Sequence, residues 1–383
     1  MIRDTFVVID LDKLAFNIRN IRKLVGETVA IAAVVKANGY GHGSVEIAKT
    51  IMENGGDCLA VATLIEAMEL RKAHKHYDIF IMGYTSNENL KNIVNYNFTQ
   101  CIFSYEQAKI LNKLGKEKNK KPKIHIKYDT GFNRLGFQNC DESIKEIKRI
   151  IKLPNIIIEG IFTHLALAGE NEDRKQFYNF VNAISRIEEN GFHFKYKHVC
   201  DSIATIDYPE FRLNMIRPGA MLYGLKSFKK NDINLKQILQ FKTKVSNVKF
   251  IRKGEGISYN YRFIAEKNMK IATIQVGYAD GFPRNMYQVG EVTIHGQLAS
   301  IIGVICMDQC VVDVTDIPSV RISDEVIIYG DEINTVSISS AAERCKTNKN
   351  DIVCMISRRT PRVYLKNNCL FKEVNYLNII KKE

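Results

Sequence analysis

The hydrophobic pattern opens with an apolar run at Thr5–Leu11 and a helical pattern over Asp12–Val25. Short β-type runs then recur at fairly even spacing: Ala30–Val35, Cys58–Thr63, Ile79–Tyr84, Gln100–Ser104, Lys123–Tyr128, Ile156–Thr163, Tyr196–Cys200 and Met215–Tyr223. Helical patterns separate most of them, at Val45–Glu53, Ile65–Lys72, Tyr105–Leu114, Glu142–Ile151 and Gln176–Asn190. Eight β-runs alternating with helices predict a closed (β/α)8 barrel better than an open doubly wound sheet. The unbroken apolar character of Ala30–Val35 and Ile156–Ile161 suits strands buried on both faces.

Past residue 235 the texture changes. Short strand patterns dominate, at Phe241–Phe250, Ile271–Val276, Val292–Ile294, Ser300–Ile305, Val311–Val314 and Glu325–Tyr329, with one helical patch at Ser339–Arg344. The expected organisation is therefore α/β: a (β/α)8 barrel over residues 1–234, whose first strand is free to pair with the second domain, followed by a mainly β domain over residues 235–383. The boundary falls in the polar run Lys226–Lys236.

Composition narrows the function class. A chain of 383 residues is longer than one core usually supports, and 45% apolar with 25% charged residues is ordinary for a globular protein. No stretch approaches the ~20 apolar residues of a membrane span. Met1-Ile2-Arg3-Asp4 runs straight into a strand, without the pattern of a signal peptide. The nine cysteines are scattered, and the Cys306/Cys310 pair lacks a second pair at ligand spacing, so no metal is expected. Together these features favour a reducing, cytoplasmic setting. The net charge of +13 comes from dispersed lysines; the denser runs, Lys116–Lys123 and Lys226–Lys236, carry no interleaved aromatics. Neither nucleic acid nor a membrane is expected as a partner.

The candidate chemistry lies at strand ends. In such a barrel the active groups gather at the C-terminal rim, where Lys36, Lys127, His164, His198 and Arg217 fall. Within Val34-Val35-Lys36-Ala37-Asn38-Gly39-Tyr40-Gly41-His42-Gly43, a lysine ending a buried strand is partly desolvated, which favours a neutral, nucleophilic amine able to form a Schiff base. The segment fits neither a dinucleotide fingerprint nor a P-loop.

This segment resembles the cofactor-lysine motif of the alanine racemase family of pyridoxal-phosphate enzymes. The likeness continues, in the family's order, through Lys127-Tyr128-Asp129-Thr130-Gly131-Phe132-Asn133-Arg134-Leu135-Gly136, Gly160–His164, Arg217–Gly224, Ile257-Ser258-Tyr259, Gly277–Gly281, Cys306-Met307-Asp308-Gln309 and Pro361-Arg362-Val363-Tyr364. It implies pyridoxal 5'-phosphate bound to Lys36, which also serves as one catalytic base. Tyr259, from the partner subunit of a head-to-tail homodimer, would be the other, since racemisation needs a base on each face of a planar carbanion. A phenol's ordinary pKa near ~10 means that a cation or donor must assist it.

By the same resemblance Arg217 meets the pyridine nitrogen and, unable to give up its proton readily, keeps the ring a weak electron sink. His164 and His198 would support that arginine. Arg134 would bind the substrate carboxylate, and Lys127 falls on a lysine that some members carry as a carbamate. Tyr40, Ser202 and the backbone amides of Gly219 and Ala220 match the phosphate-holding positions. Met307 matches a backbone contact to the substrate carboxylate, and Tyr278 the site entrance.

The chain also departs from the pattern. Asp201 stands where the family usually has Asn, bringing a negative charge near a phosphate. Arg358 replaces a tyrosine that contacts phosphate in some members and is expected to offset Asp201 as a cofactor-binding residue. Asn260 replaces a glycine and tolerates left-handed backbone. Val304 replaces an arginine and Leu165 an aromatic, which loosens the substrate from alanine towards serine or a longer side chain. A related pyridoxal-phosphate decarboxylase is disfavoured by Arg217 and Tyr259, and a cofactor-carrying barrel without turnover by the second domain. The Asp129-Thr130-Gly131 triplet lacks the paired copy an aspartic protease needs.

Overall fold

A computed structural model describes residues 3–189 and 191–377. Asn190, with which the last barrel-helix pattern was expected to end, lies outside the described residues, as do Met1, Ile2 and residues 378–383.

Strand β1 (Phe6–Asp10) precedes eight parallel strands that close into a barrel. These are β2 (Ala30–Val34), β3 (Cys58–Val61), β4 (Ile79–Ile81), β5 (Thr99–Ile102), β6 (Lys123–Lys127), β7 (Ile157–Phe162), β8 (Tyr196–His198) and β9 (Met215–Ile216). The ring closes where Ala30 and Ile31 pair with Met215 and Ile216. The last strand is much shorter than the Met215–Tyr223 run suggested. Pro218 has no N–H to extend the ladder, and Ala220–Tyr223 coils into a 3-10 turn.

The helices Leu11–Val25, Ser44–Glu53, Leu64–Ala73, Leu90–Tyr96, Tyr105–Glu117, Asp141–Ile151 and Glu170–Glu188 bury apolar stripes against the outside of the barrel. Their starts are set by local chemistry. Thr63 and Glu66 form a capping box on Leu64–Ala73, and the Ser104 hydroxyl accepts from the Gln107 amide at the next helix but one. The barrel interior is small and mixed: Ala32, Val34, Ala60, Phe80, Cys101, Phe162 and Met215 fill it around two buried histidines, His125 and His198.

The second domain is built on β10 (Leu239–Ile251), β11 (Gly256–Ile257), β12 (Phe263–Ile264), β13 (Met269–Ile274), β14 (Glu291–Ile294), β15 (Gln297–Ile302), β16 (Cys310–Asp313), β17 (Glu325–Tyr329), β18 (Arg362–Lys366) and β19 (Cys369–Val374). The order β13-β16-β15-β14-β17-β10 returns to β13, because the long β10 pairs with both β17 and β13 across an irregularity at Val245–Asn247. β1 joins this sheet, antiparallel to β10 and parallel to β18. The chain thus starts in the β domain's sheet before entering the barrel. No helix among the described residues is long and apolar enough to cross a membrane.

Candidate active site

A cavity of about 380 Å³ opens at the C-terminal rim of the barrel. Its lining includes Lys36, Lys127, Arg134, His164 and Arg217, together with Tyr40, Asp201, Ser202, Gly219 and Ala220. Its size suits a small cofactor with a small substrate.

Lys36 leaves the end of β2 into a tight turn in which Ala37, Asn38, Gly39 and Tyr40 all have positive φ, between 51° and 61°. Three of these are not glycine, so the conformation is unfavourable and must be held from outside. The holding groups are visible. The Ala37 amide donates to Glu66 Oε1 at 2.6 Å, and the Tyr223 hydroxyl donates to the Val34 carbonyl at 2.9 Å. Across the domain boundary, Arg362 donates to the Gly41 carbonyl and the Tyr364 hydroxyl to that of His42. Burial, with Arg134 nearby, lowers the Lys36 amine below its ordinary value, which raises its neutral fraction.

Arg217 sits on the segment after β9 and is 5% exposed. Its Nη1 donates to His198 Nδ1 at 2.7 Å, and Nη2 donates to the carbonyls of Thr163 and Val199, each at 2.7 Å. Nε makes no hydrogen bond among the described residues. Burial lowers the guanidinium to about 10, which leaves it cationic at neutral pH. His164 lines the cavity but makes no hydrogen bond to Arg217; its ring packs on Phe132 with centroids 5.2 Å apart. Burial, reinforced by Arg217 and Arg134, pushes His164 down to about 3, so it is neutral.

Lys127 is buried, donating to the Tyr128 carbonyl at 3.1 Å, and burial lowers its amine to about 8. Arg134 is exposed at the mouth, stacked on the Phe132 ring at 4.3 Å, with no carboxylate partner among the described residues.

The remaining lining residues form an anion cradle. Ser202 Oγ accepts from the amides of Gly219 and Met221 at 2.9 and 3.2 Å, which leaves its own O–H free to donate. The Ala220 amide and the Tyr40 hydroxyl make no hydrogen bond among the described residues, and burial keeps the Tyr40 phenol protonated. A Cβ at Gly219 would come within 2.5 Å of the Tyr40 hydroxyl, so only glycine lets the two approach. Asp201 is placed beside this cradle but uses Oδ1 to accept from the Ile203 and Ala204 amides, capping the helix Ser202–Asp207. Burial raises its carboxyl above the ordinary range.

Arg358 is not where the sequence placed it. It lines no part of the cavity and instead donates to both oxygens of Glu69 at 3.1 Å, over the ring of Tyr376. The nearby carboxylate takes the guanidinium, so it neither joins the cradle nor offsets Asp201. Tyr259, Met307 and Tyr278 also lie outside this chain's cavity and are 64%, 52% and 42% exposed. They do lie together. The Ser258 hydroxyl donates to the Val304 carbonyl, the Tyr278 amide to that of Cys306 and the Ala279 amide to that of Met307. Asn260 adopts φ 58°, the left-handed conformation expected where it replaces glycine.

The residues fit the expected cofactor: a neutralisable lysine, an anion cradle and a buried cation whose Nε has no partner among the described residues share one cavity. Three contributors escaped the sequence reading. Glu66 lies three residues after Thr63, a capping-box spacing that does not mark it as a partner of the Lys36 turn. Arg362 stood in a quoted motif without a role. His125, whose Nδ1 lies 2.8 Å from His198 Nε2, was missed although the period of two places it on the same strand face as Lys127.

Comparison with known proteins agrees with this geometry. The models of the alanine racemase N-terminal and C-terminal domains match residues 9–227 and 238–364. Alanine racemase 1 of Clostridium acetobutylicum is 40% identical, the match covering 98% of this chain and 99% of that protein. The alanine racemase of Methanococcus maripaludis is 43% identical over 93% of this chain and 97% of its own. The crystal structure of alanine racemase from Bacillus anthracis with bound L-Ala-P superposes with a TM-score of 0.91 at 32% identity, covering 99% of each chain. The chain belongs to the alanine racemase family.

Proposed function

We propose that this protein interconverts L- and D-alanine, using pyridoxal 5'-phosphate held on Lys36 and a second base, Tyr259, supplied by another copy of the chain. The alanine racemase names borne by relatives over nearly their whole length support alanine as the substrate ahead of serine. The observation that carries the mechanism is the environment of Arg217: a buried cation with Nη1 and Nη2 committed and Nε unbonded, in the same cavity as Lys36.

When bound, the cofactor supplies an electron sink that acidifies the α-hydrogen of an attached amino acid. Tyr40, Ser202 and the amides of Gly219 and Ala220 would hold its phosphate, and Arg217 would meet its ring nitrogen. A guanidinium keeps its proton, so that nitrogen gains no full charge and proton return at the α-carbon prevails over side reactions. Among the described residues it is Arg217, not a carboxylate as a decarboxylase would need, that occupies this place.

Lys36, with its amine pushed towards the neutral form, accepts or returns a proton on one face. Arg134, free of any carboxylate partner, orients the substrate carboxylate at the mouth. The opposite base must come from elsewhere, because Tyr259 lies on its own β domain with Met307 and Tyr278 beside it. A head-to-tail homodimer brings that exposed group over the barrel mouth of a partner. Lys127, near half-neutral at about pH 8, suits reaction with CO2 to a carbamate beside Arg134. The scattered cysteines, all free among the described residues, suit a cytoplasmic setting.

Replacing Lys36 by Ala tests the reading: visible absorbance of the bound cofactor and turnover should both vanish, and persistence of both would refute it.

A further inference from the structure

The hydrogen-bond chain behind Arg217 continues beyond His198. An arginine only donates, so His198 Nδ1 must accept from it. Burial and the neighbouring cation keep His198 neutral, so its proton sits on Nε2. That nitrogen lies 2.8 Å from His125 Nδ1, which must accept in turn and leave the His125 proton on its own Nε2. His125 is 2% exposed, yet its Nε2 makes no hydrogen bond among the described residues. The ring instead lines a second cavity of about 50 Å³ at the N-terminal end of the barrel, walled by Asp57, Asp78, Glu159 and Lys195. That volume exceeds the ~10–15 Å³ that one water needs.

Packing fixes the two rings. Phe162 stacks on His198 at 4.8 Å with the planes 3° apart, and Phe80 covers His125 at 4.6 Å. Gly160 faces His125 across the β6–β7 ladder, where a Cβ would come within 2.8 Å of the ring. The barrel axis thus carries one polar line from rim to base, with room made for it by glycine.

We propose that His125 is a positioning residue for the racemisation: acting through His198, it holds Arg217 in the orientation that leaves Nε free to donate into the cavity, and water in the basal cavity completes the chain. The inference rests on the function proposed above. Without an acceptor at position 125, the His198 Nε2–H is buried and unpaired. The ring then favours the other tautomer, whose Nδ1–H opposes the Arg217 donor.

The test has two arms. In the purified protein with 15N-labelled histidine, NMR should show His198 and His125 each protonated on Nε2; Nδ1 protonation of either overturns the proposal. In the holoenzyme, His125→Leu should lower kcat about tenfold, with KM changed less, and shift the visible absorbance of the bound cofactor. His125→Asn places a carbonyl oxygen where Nδ1 stood and should restore both. An unchanged His125→Leu enzyme, or equal loss in the two variants, contradicts it. Should His125→Leu fail to fold, the tautomer measurement decides alone. It needs no cofactor, so its outcome is separable from failure of the racemase reading, which would appear as an inactive unaltered protein.

Discussion

Arg362 donates from Nε and Nη2 to the carbonyl oxygen of Gly41, at 3.1 and 2.9 Å, tying the β domain to the turn that carries Lys36. Its remaining donors go to the carbonyls of Ile356, Ser357 and Thr360, and the side chain is fully buried with no carboxylate partner among the described residues. Arg362→Met should leave the carbonyls of Gly41, Ile356 and Thr360 without a donor, while that of Ser357 keeps the Thr360 amide, and lower stability by roughly 3 kcal/mol or more, at about 1–3 kcal/mol per orphaned group. Tyr364→Phe removes one hydrogen bond to His42 and should lower it by about 1 kcal/mol. Denaturant unfolding checks both, and an unchanged midpoint for Arg362→Met would show that the staple is dispensable.

The approach of Gly219 to Tyr40 gives a second expectation. Gly219→Ala should push the Tyr40 hydroxyl out of the cradle and weaken cofactor binding about tenfold or more, about 1.5–3 kcal/mol being the scale of a lost hydrogen bond to a charged group. Tyr40→Phe should give a similar loss, and the double variant little more than either alone. Equilibrium titration with pyridoxal phosphate reads this directly; additive losses would place the two residues in separate roles.

The barrel was legible because its strands are apolar, evenly spaced and separated by helical patterns. What escaped depends on groups far apart in sequence. Nothing local marks Ala37, Asn38 and Tyr40 as left-handed; the turn exists because Glu66, Arg362 and Tyr364 hold it. The hairpin β18–β19 was not read as strands, since Cys369–Val374 is largely exposed and shows no apolar alternation. The helix Leu90–Tyr96 is short and lacks a side-chain cap. Arg358 was misplaced because its partner, Glu69, lies 289 residues away. The motif residues on the barrel, by contrast, converge because strand ends of a closed barrel share one rim.

Asp201 should make cofactor affinity depend on pH. Burial raises its carboxyl, so it is neutral at low pH and gains its charge beside the phosphate cradle as pH rises. Arg217, Tyr40 and Cys200 are the titratable neighbours, and Arg217 moderates the rise. Affinity for pyridoxal phosphate should therefore fall with increasing pH. Asp201→Asn keeps an oxygen for the Ile203 and Ala204 amides and should bind several-fold tighter at high pH, with a flatter profile. Parallel pH profiles for the two proteins would contradict this.

Lys127 gives a window on the alkaline side. Its amine falls from 10.5 to about 8 on burial, so between these values the unfolded chain binds the extra proton. Stability should accordingly rise with pH across that window, by on the order of 1–3 kcal/mol, and Lys127→Met should remove the rise. Uptake of 13C from labelled bicarbonate, followed by NMR, should increase as pH passes about 8. A stability profile identical in Lys127→Met would show that the side chain is charged in the folded protein.

The most direct test of the account is subunit complementation between Lys36→Ala and Tyr259→Phe chains. Each variant alone should be impaired. In mixed dimers isolated by two different affinity tags, one site combines an intact Lys36 with an intact Tyr259 from the other chain, so racemisation should return to about half the unaltered specific activity. Mixed dimers no more active than the separate variants would contradict a site shared between subunits.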